Sequence, residues 1–203
     1  MKKVKDYKTY KDYIEHQLEK TKKKETKERH NELRNQKILE LITKFSLSYV
    51  PREERVLCIG SRYGEEVEAL KKLGYENVDG IDLIDIPPYT KKMDMHDLKY
   101  NDNTFRFIYT NSLDHSLDPN KVISEIVRVS KLPAIIMIDL ELYNYGNYEV
   151  YEFESINDIV DIFKNNNIKF KMHDISMLRS VSKFDSFYLD NSRRTLIFKL
   201  EKK

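Results

Sequence analysis

The stretch "RVLCIGSRYGEEVEALKKLGYENVDGIDL", residues 55–83, limits what this chain can become more than any other. A short apolar run, "VLCI", enters a turn bounded by Gly60 and Gly64. Val67, Leu70 and Leu73 then fall on one face of a helix that stops at Gly74, a residue suited to a left-handed cap. A second apolar run, "VDGIDL", follows and carries Asp82 near its end. Strand, glycine turn, helix and strand at this spacing form a crossover unit, and such crossovers are right-handed and pack back onto a parallel sheet.

The alternation continues toward the C-terminus. A short third strand is expected around "TKKMD", a fourth at "FRFIYTN", and a helix at "NKVISEIVRVSK" with Val122, Ile126 and Val129 facing inward. "PAIIMIDL" predicts a fifth strand and "ESINDIVDIFKNN" another helix. "IKFKMHDIS" and "RRTLIFKLEK" predict two last strands, close enough in sequence to pair antiparallel at the sheet edge. The expected fold class is α/β: a mostly parallel seven-stranded sheet with helices on both faces and an antiparallel edge strand.

The 203 residues, 40% of them hydrophobic, suffice for one such core. They divide into a basic helical arm, residues 1–50, and the sheet domain, residues 51–203. Pro51 ends the arm, because the residue before a proline avoids the helical region. Tyr7, Tyr10, Ile14 and Leu18 share one face of a first arm helix, and Ile38, Leu41, Ile42 and Phe45 repeat the spacing in a second segment. The "EKTKKKETKERHNE" between them has no apolar face and reads as a solvated helix or a joint. Residues 1–45 hold 14 basic against 8 acidic residues, so a basic arm sits on a mildly acidic body and only the arm invites an anionic partner. The single cysteine, Cys58, excludes an internal disulfide, and no apolar run approaches the roughly 20 residues that cross a bilayer. A cytoplasmic protein with no membrane partner is expected.

In an open parallel sheet the ligand lies beyond the carboxyl ends of the strands, where the strand order reverses. The turn Gly60-Ser61-Arg62-Tyr63-Gly64 and the acid Asp82 both belong at that edge. Asp82 follows Gly60 by 22 positions, close to the separation of about 20 at which a carboxylate meets ribose hydroxyls. A dinucleotide loop needs G-x-G-x-x-G; here the spacing is G-x-x-x-G, Arg62 holds the middle, and the helix opens with Glu65-Glu66. Those carboxylates suit the helix dipole but would repel a pyrophosphate. The turn therefore fits a nucleoside without phosphates. S-adenosylmethionine, with its ribose, adenine, amino-acid tail and cationic sulfonium, is the expected cofactor. The plainer alternatives are a tight strand-to-helix turn for the two glycines and a turn cap for Asp82.

At this point a resemblance becomes specific. "VLCIGSRYGEEVEAL", "GIDLID" and "MDMHDLKYNDNTFRFIYTNSLDHSLDPNKVISEIVRVSK" together resemble the class I S-adenosylmethionine-dependent methyltransferases, in particular the small type-11 group, from Arg55 to about Asp139. The resemblance implies a Rossmann-like methyltransferase fold in which Gly60 and Gly64 line the methionine end and Asp82 holds the ribose, with Leu83 beside it among the cofactor contacts. It also implies Asp94 and Met95 at the adenine and Asn111 beside the sulfonium. The sequence departs from the group in three places. The acid usual two residues before the first glycine, which helps to hold the ligand's amino group, is Cys58. The usual middle glycine is Arg62, a candidate partner for the ligand's carboxylate, and Lys99-Tyr100 replace a common Pro-Phe.

Methyl transfer depends on holding a nucleophile in line with the departing sulfur, and a hydroxyl acceptor gains further from a general base. Asp114 and His115 in "NSLDHSLD" and His96 on the loop after the third strand are the candidates. The structural alternative for either histidine is a satisfied imidazole, and for Asp94, set against the adenine contact, a turn cap. Cys58 reads as a small buried hydrophobe, and no His/Cys cluster has metal-ligand spacing. "LYNYGNYEVYEF", residues 142–153, is either a substrate lid or a packed loop. The expected function is methyl transfer to a small-molecule or sugar (glycan) hydroxyl. The alternatives are a nucleic-acid methyltransferase that uses the basic arm and a non-catalytic domain of the same fold.

Overall fold

The computed structural model describes residues 1–23, 50–144, 146–176 and 192–201, with only the backbone of 21–23. Along the chain lie β1 (Lys2–Lys3), α1 (Tyr10–Lys23), β2 (Val56–Ile59), α2 (Glu65–Lys72), β3 (Val78–Asp82), β4 (Thr90–Lys92) and β5 (Phe105–Thr110). A 3-10 turn (Leu113–His115) leads to α3 (Pro119–Val129), β6 (Ser130–Glu141), β7 (Tyr151–Glu152), α4 (Ile156–Asn165), β8 (Lys169–Asp174) and β9 (Arg193–Glu201).

Seven strands form one sheet in the order β4-β3-β2-β5-β6-β9-β8. The first five run parallel, and β9 runs antiparallel to both β6 and β8. The antiparallel pair lies at the sheet edge, but the strand that opposes the rest is β9, one place in, while β8 takes the edge itself. The strand order reverses between β2 and β5, since the chain leaves β2 for β3 and β4 on one side and returns to β5 on the other. Register makes that reversal a site. Ile59 is level with Ile81 and with Thr110, and Thr110 with Ile138, so the turn at Gly60, Asp82, Asn111 and Asp139 leave the sheet side by side.

Strand side chains alternate between two faces, and both are covered. Leu57, Ile59, Ile108, Ile136, Ile138 and Phe198 pack with Val122, Ile126 and Val129 of α3 and Ile159, Ile162 and Phe163 of α4. Val56, Cys58, Phe107, Met137 and Ile197 pack on the opposite face with Val67, Ala69 and Leu70 of α2. Sequence fixes where these helices start. The Asp118 carboxylate accepts from the backbone N–H of Asn120 and Lys121 with Pro119 at the first helical position, and Ser155 and Asp158 cap α4 reciprocally. Close approach of α2 to β3 depends on Gly80, where a Cβ would meet Tyr89 O at 2.5 Å and Val67 Cγ2 at 2.6 Å.

The first arm helix packs on this body with a different face from the one its apolar spacing predicts. Thr9 and Asp12 cap it by mutual side-chain to backbone bonds. Tyr13, 1% exposed, is its buried residue, whereas Tyr10 is exposed and Tyr7, Ile14 and Leu18 are half-buried. The inward face of Tyr13 and Gln17 is largely polar because it covers a ligand-sized cleft instead of a core. β1 pairs antiparallel with β7, a contact no periodicity in two lysines could announce. The second arm segment, Ile38 to Phe45, and the lysine-rich joint lie outside the described residues. Among the described residues no helix is long and apolar enough to cross a membrane.

Candidate active site

A cavity of about 310 Å³ opens at the carboxyl ends of β2, β3, β5 and β6, at the lower end of the range for small-molecule sites. Its lining comes from the glycine turn, the start of α2, the ends of β3, β5 and β6, the loop that leads to β7, and α1. Among the described residues seven carboxylates line it against three cations, Lys20, Arg62 and Arg193, and that balance favours a cationic ligand over a polyphosphate.

The turn is bound firmly to β3. Gly60 N and Ser61 N donate to Ile81 O at 2.9 and 3.0 Å, and Arg62 N donates to Asp82 Oδ2 at 3.0 Å. Leu83 N donates to Asp82 Oδ1 at 2.7 Å, so both carboxylate oxygens are aimed by backbone amides and keep lone pairs for ribose hydroxyls. Gly60 has φ +76°, and a Cβ there would lie 2.0 Å from Ser112 Oγ of the neighbouring loop. Arg62, with φ 39°, enters the left-handed region that the usual glycine would occupy without strain. Leu83, Met93 and Met95 give the cavity an apolar wall next to Asp82, suited to an adenine ring.

Of the expected cofactor contacts, Gly60, Arg62, Asp82, Leu83, Met95 and Asn111 line the cavity together. Gly64 and Asp94 do not. Gly64 faces Tyr89, whose Cβ would lie 2.2 Å from an added methyl, so this glycine serves a close packing contact behind the turn. Asp94 Oδ1 accepts from His96 N at 2.8 Å and His96 Nδ1 at 2.7 Å, and its other oxygen accepts from the Tyr10 hydroxyl. Burial would raise its carboxyl, but the bonds from His96 and Tyr10 outweigh that and hold it at about 2. Asp94 thus caps its loop and ties down α1.

The catalytic candidates separate the same way. His96 is 4% exposed and does not line the cavity. Its Nε2 accepts from Leu117 N at 3.0 Å and Asp118 N at 3.2 Å. Backbone N–H groups only donate, so the proton sits on Nδ1, which donates to Asp94; both ring nitrogens are occupied and His96 is a strut between two loops. His115 is placed differently. Its Nδ1 lies 3.0 Å from Tyr148 O, which can only accept, so Nε2 carries the lone pair and faces Lys20 Nζ at 2.7 Å. Asp114 Oδ1 and Glu149 Oε1 stand 3.9 and 4.0 Å from that nitrogen. Asp114 is 6% exposed, and its Oδ1 has no hydrogen-bond partner among the described residues.

Glu149, Lys20 and Glu66 are site residues that sequence reasoning missed. Glu149 lies in the tyrosine-rich loop; burial raises its carboxyl, but a protonated His115, the Lys20 ammonium and the backbone N–H groups of Tyr148 and Glu149 produce a net lowering. Asp114, His115 and Glu149 place ligand atoms within 4.8 Å of one another, a spacing that suits a divalent cation, yet the Lys20 ammonium already supplies positive charge there. Glu66 is 7% exposed and lines the cavity from the first turn of α2. Burial pushes its carboxyl up to about 8; Glu65 and Asp82 add to the rise, and its own backbone N–H and Arg62 oppose it. Asp139, by contrast, is neutralised: Arg193 Nη2 lies 3.3 Å from one oxygen and Thr195 Oγ1 donates to the other at 3.2 Å.

A parallel sheet reversing at β2 and β5, a phosphate-averse glycine turn and an acid at the end of β3 define a class I methyltransferase fold. Residues 57–138, about two fifths of the chain, match the family model of the methyltransferase domain. No curated protein matches the sequence. Among solved structures, 1,6-didemethyltoxoflavin-N1-methyltransferase of Burkholderia thailandensis, with bound S-adenosylhomocysteine, superposes with TM-score 0.69 at 11% identity, covering 99% of this chain and 94% of that one. Geranyl diphosphate C-methyltransferase of Streptomyces coelicolor, also with S-adenosylhomocysteine, gives 0.58 at 13% identity over 81% and 77%. The YcgJ protein of Bacillus subtilis gives 0.62 at 14% over 81% and 98%. At these identities the likeness is one of fold.

Proposed function

We propose that this chain transfers a methyl group from S-adenosylmethionine to a hydroxyl of a small molecule or sugar in the cytoplasm, with His115 as general base. The observation that carries the reading is the continuity of one anionic cavity from Gly60 and Asp82 to His115 Nε2. Asp82 holds the ribose, Leu83, Met93 and Met95 flank the adenine, and Arg62 faces the carboxylate of the amino-acid tail. When bound, S-adenosylmethionine supplies an electrophilic methyl carbon on a sulfonium. The chain supplies the rest: an acceptor hydroxyl takes the place of the Lys20 ammonium at Nε2 and gives its proton to His115, while Asp114 and Glu149 stabilise the imidazolium. The acceptor is small because α1 on one side and Asn144 and Glu149 on the other wall the cavity. A polyanionic acceptor such as nucleic acid is disfavoured by the same carboxylates. Calorimetry with S-adenosylhomocysteine tests the reading. Wild type binds, and Asp82→Ala weakens binding by roughly tenfold or more, the worth of hydrogen bonds to a charged group. Failure of the wild type to bind at millimolar ligand overturns it.

A further inference from the structure

Glu66 is an unusual place to find a carboxylate. The side chain is 7% exposed, it lines the cavity, and Oε2 has no hydrogen-bond partner among the described residues. The carboxyl otherwise accepts a long contact on Oε1, 3.4 Å, from Asn111 Nδ2 and a bond from Glu66's own backbone N–H. A buried carboxyl with an oxygen left without a donor is disfavoured, so such a group persists where something else completes it. Cys58 in the strand below cannot share the task, because burial, and next the Glu66 charge, pushes its thiol up and leaves it neutral. Position narrows what the missing partner is. Glu66 stands two residues past the glycine turn with its carboxyl on Asn111, the residue that follows β5, so it faces the amino-acid end of the ligand.

We infer that Glu66 is the anchor for the α-ammonium group of the methyl donor, a role that rests on the reading of the cavity as an S-adenosylmethionine site. Of the two cations on that molecule, the sulfonium has no proton to donate, whereas the ammonium has three. Oε2 requires a donor, and the ammonium is the group that provides one. The anchor works as a proton switch. Without ligand, Glu66 is protonated at neutral pH, held so by burial together with Glu65 and Asp82 and against Arg62. An ammonium against Oε2 favours the ionised form, so binding expels the proton to solvent and leaves a buried carboxylate–ammonium pair.

The test uses three ligands and one isosteric variant, Glu66→Gln, which keeps the neutral form the empty site already holds. S-adenosylhomocysteine and decarboxylated S-adenosylmethionine carry the amine; 5′-methylthioadenosine keeps the nucleoside and sulfur without it. Calorimetry at pH 7 in phosphate and in Tris buffers reads proton release directly. Wild type is expected to release about one proton with either amine ligand and none with 5′-methylthioadenosine. Glu66→Gln is expected to weaken both amine ligands roughly ten- to hundredfold, abolish the proton release and leave 5′-methylthioadenosine affinity unchanged. An unchanged affinity for the amine ligands, or an equal loss for all three, overturns the assignment while leaving the cofactor reading intact. Binding of none of the three by wild type overturns both.

Discussion

His115, the proposed general base, shows how a residue's neighbours separate a candidate for catalysis from a support. Two histidines flank this site, and each has a nearby carboxylate. His96 spends both nitrogens on loop backbone and Asp94, so no substrate atom can reach it. His115 spends one on Tyr148 O and presents the other to a cation on a movable side chain. His115→Ala should therefore lower kcat by about 10²- to 10⁴-fold with any hydroxyl acceptor the wild type methylates, at unchanged S-adenosylhomocysteine affinity. A parallel fall in affinity and turnover would mean that His115 merely packs the loop. Part of this was legible beforehand. Gly60, Asp82, Asn111 and His115 stand at strand ends, where position along the chain translates directly into position around the cleft. Glu66 was not legible as a ligand group, because a glutamate in the first turn of a helix reads equally well as a partner for the helix dipole. Only its burial and its orphaned oxygen tell the two apart.

At the scale of elements, the strands and helices of the sheet domain follow from apolar period and caps, but α1 does not. Its apolar spacing points to Tyr7, Tyr10, Ile14 and Leu18, while the face it lays on the body is centred on Tyr13, Gln17 and Lys20, joined from the apolar set by Leu18 at the cavity and by the Tyr10 hydroxyl on Asp94. A helix that roofs a polar cavity turns inward the residues that bind, and hydrophobic period then misreports its orientation. Tyr13 supplies the apolar hold that remains: its ring lies 5.5 Å from Tyr7 and from Tyr10 and 5.8 Å, edge to face, from His96. Tyr13→Ala should loosen α1 without unfolding the sheet. Losing on the order of 3 kcal/mol of local hold, residues 10–20 should exchange their amide hydrogens roughly a hundredfold faster, while amides of β5 and β6 keep their protection. Equal acceleration in helix and sheet would show that α1 belongs to the same cooperative unit as the core.

For the whole molecule, the carboxyl edge of the sheet is where stability is exchanged for binding. Elsewhere the interior is conventional, with two apolar layers on alternating strand positions, and at the cavity itself one buried acid, Asp139, is answered by Arg193 and Thr195. At the cavity, Glu66 and Asp114 are buried with oxygens unanswered among the described residues. Such groups make the empty fold sensitive to pH in a direction that can be worked out. In the folded chain burial pushes the Glu66 carboxyl up to about 8 from an ordinary 4.5. Between those values the folded state holds a proton that the unfolded state has released, so stability is fullest below about 4.5 and falls as pH rises toward 8. Asp94 acts oppositely, since its carboxyl is held at about 2, and its contribution is lost only in strong acid. Thermal melts of wild type and Glu66→Gln at pH 5, 7 and 9 isolate the first effect, because the remaining groups cancel in the difference. Wild type should lose ground against the variant steadily from pH 5 to 9. Saturating S-adenosylhomocysteine should flatten the wild-type trend, because an ammonium on Oε2 stabilises the ionised carboxylate that the empty fold disfavours. A difference that stays constant across this range would show that Glu66 is ionised in the empty fold, and that some other group already balances its charge.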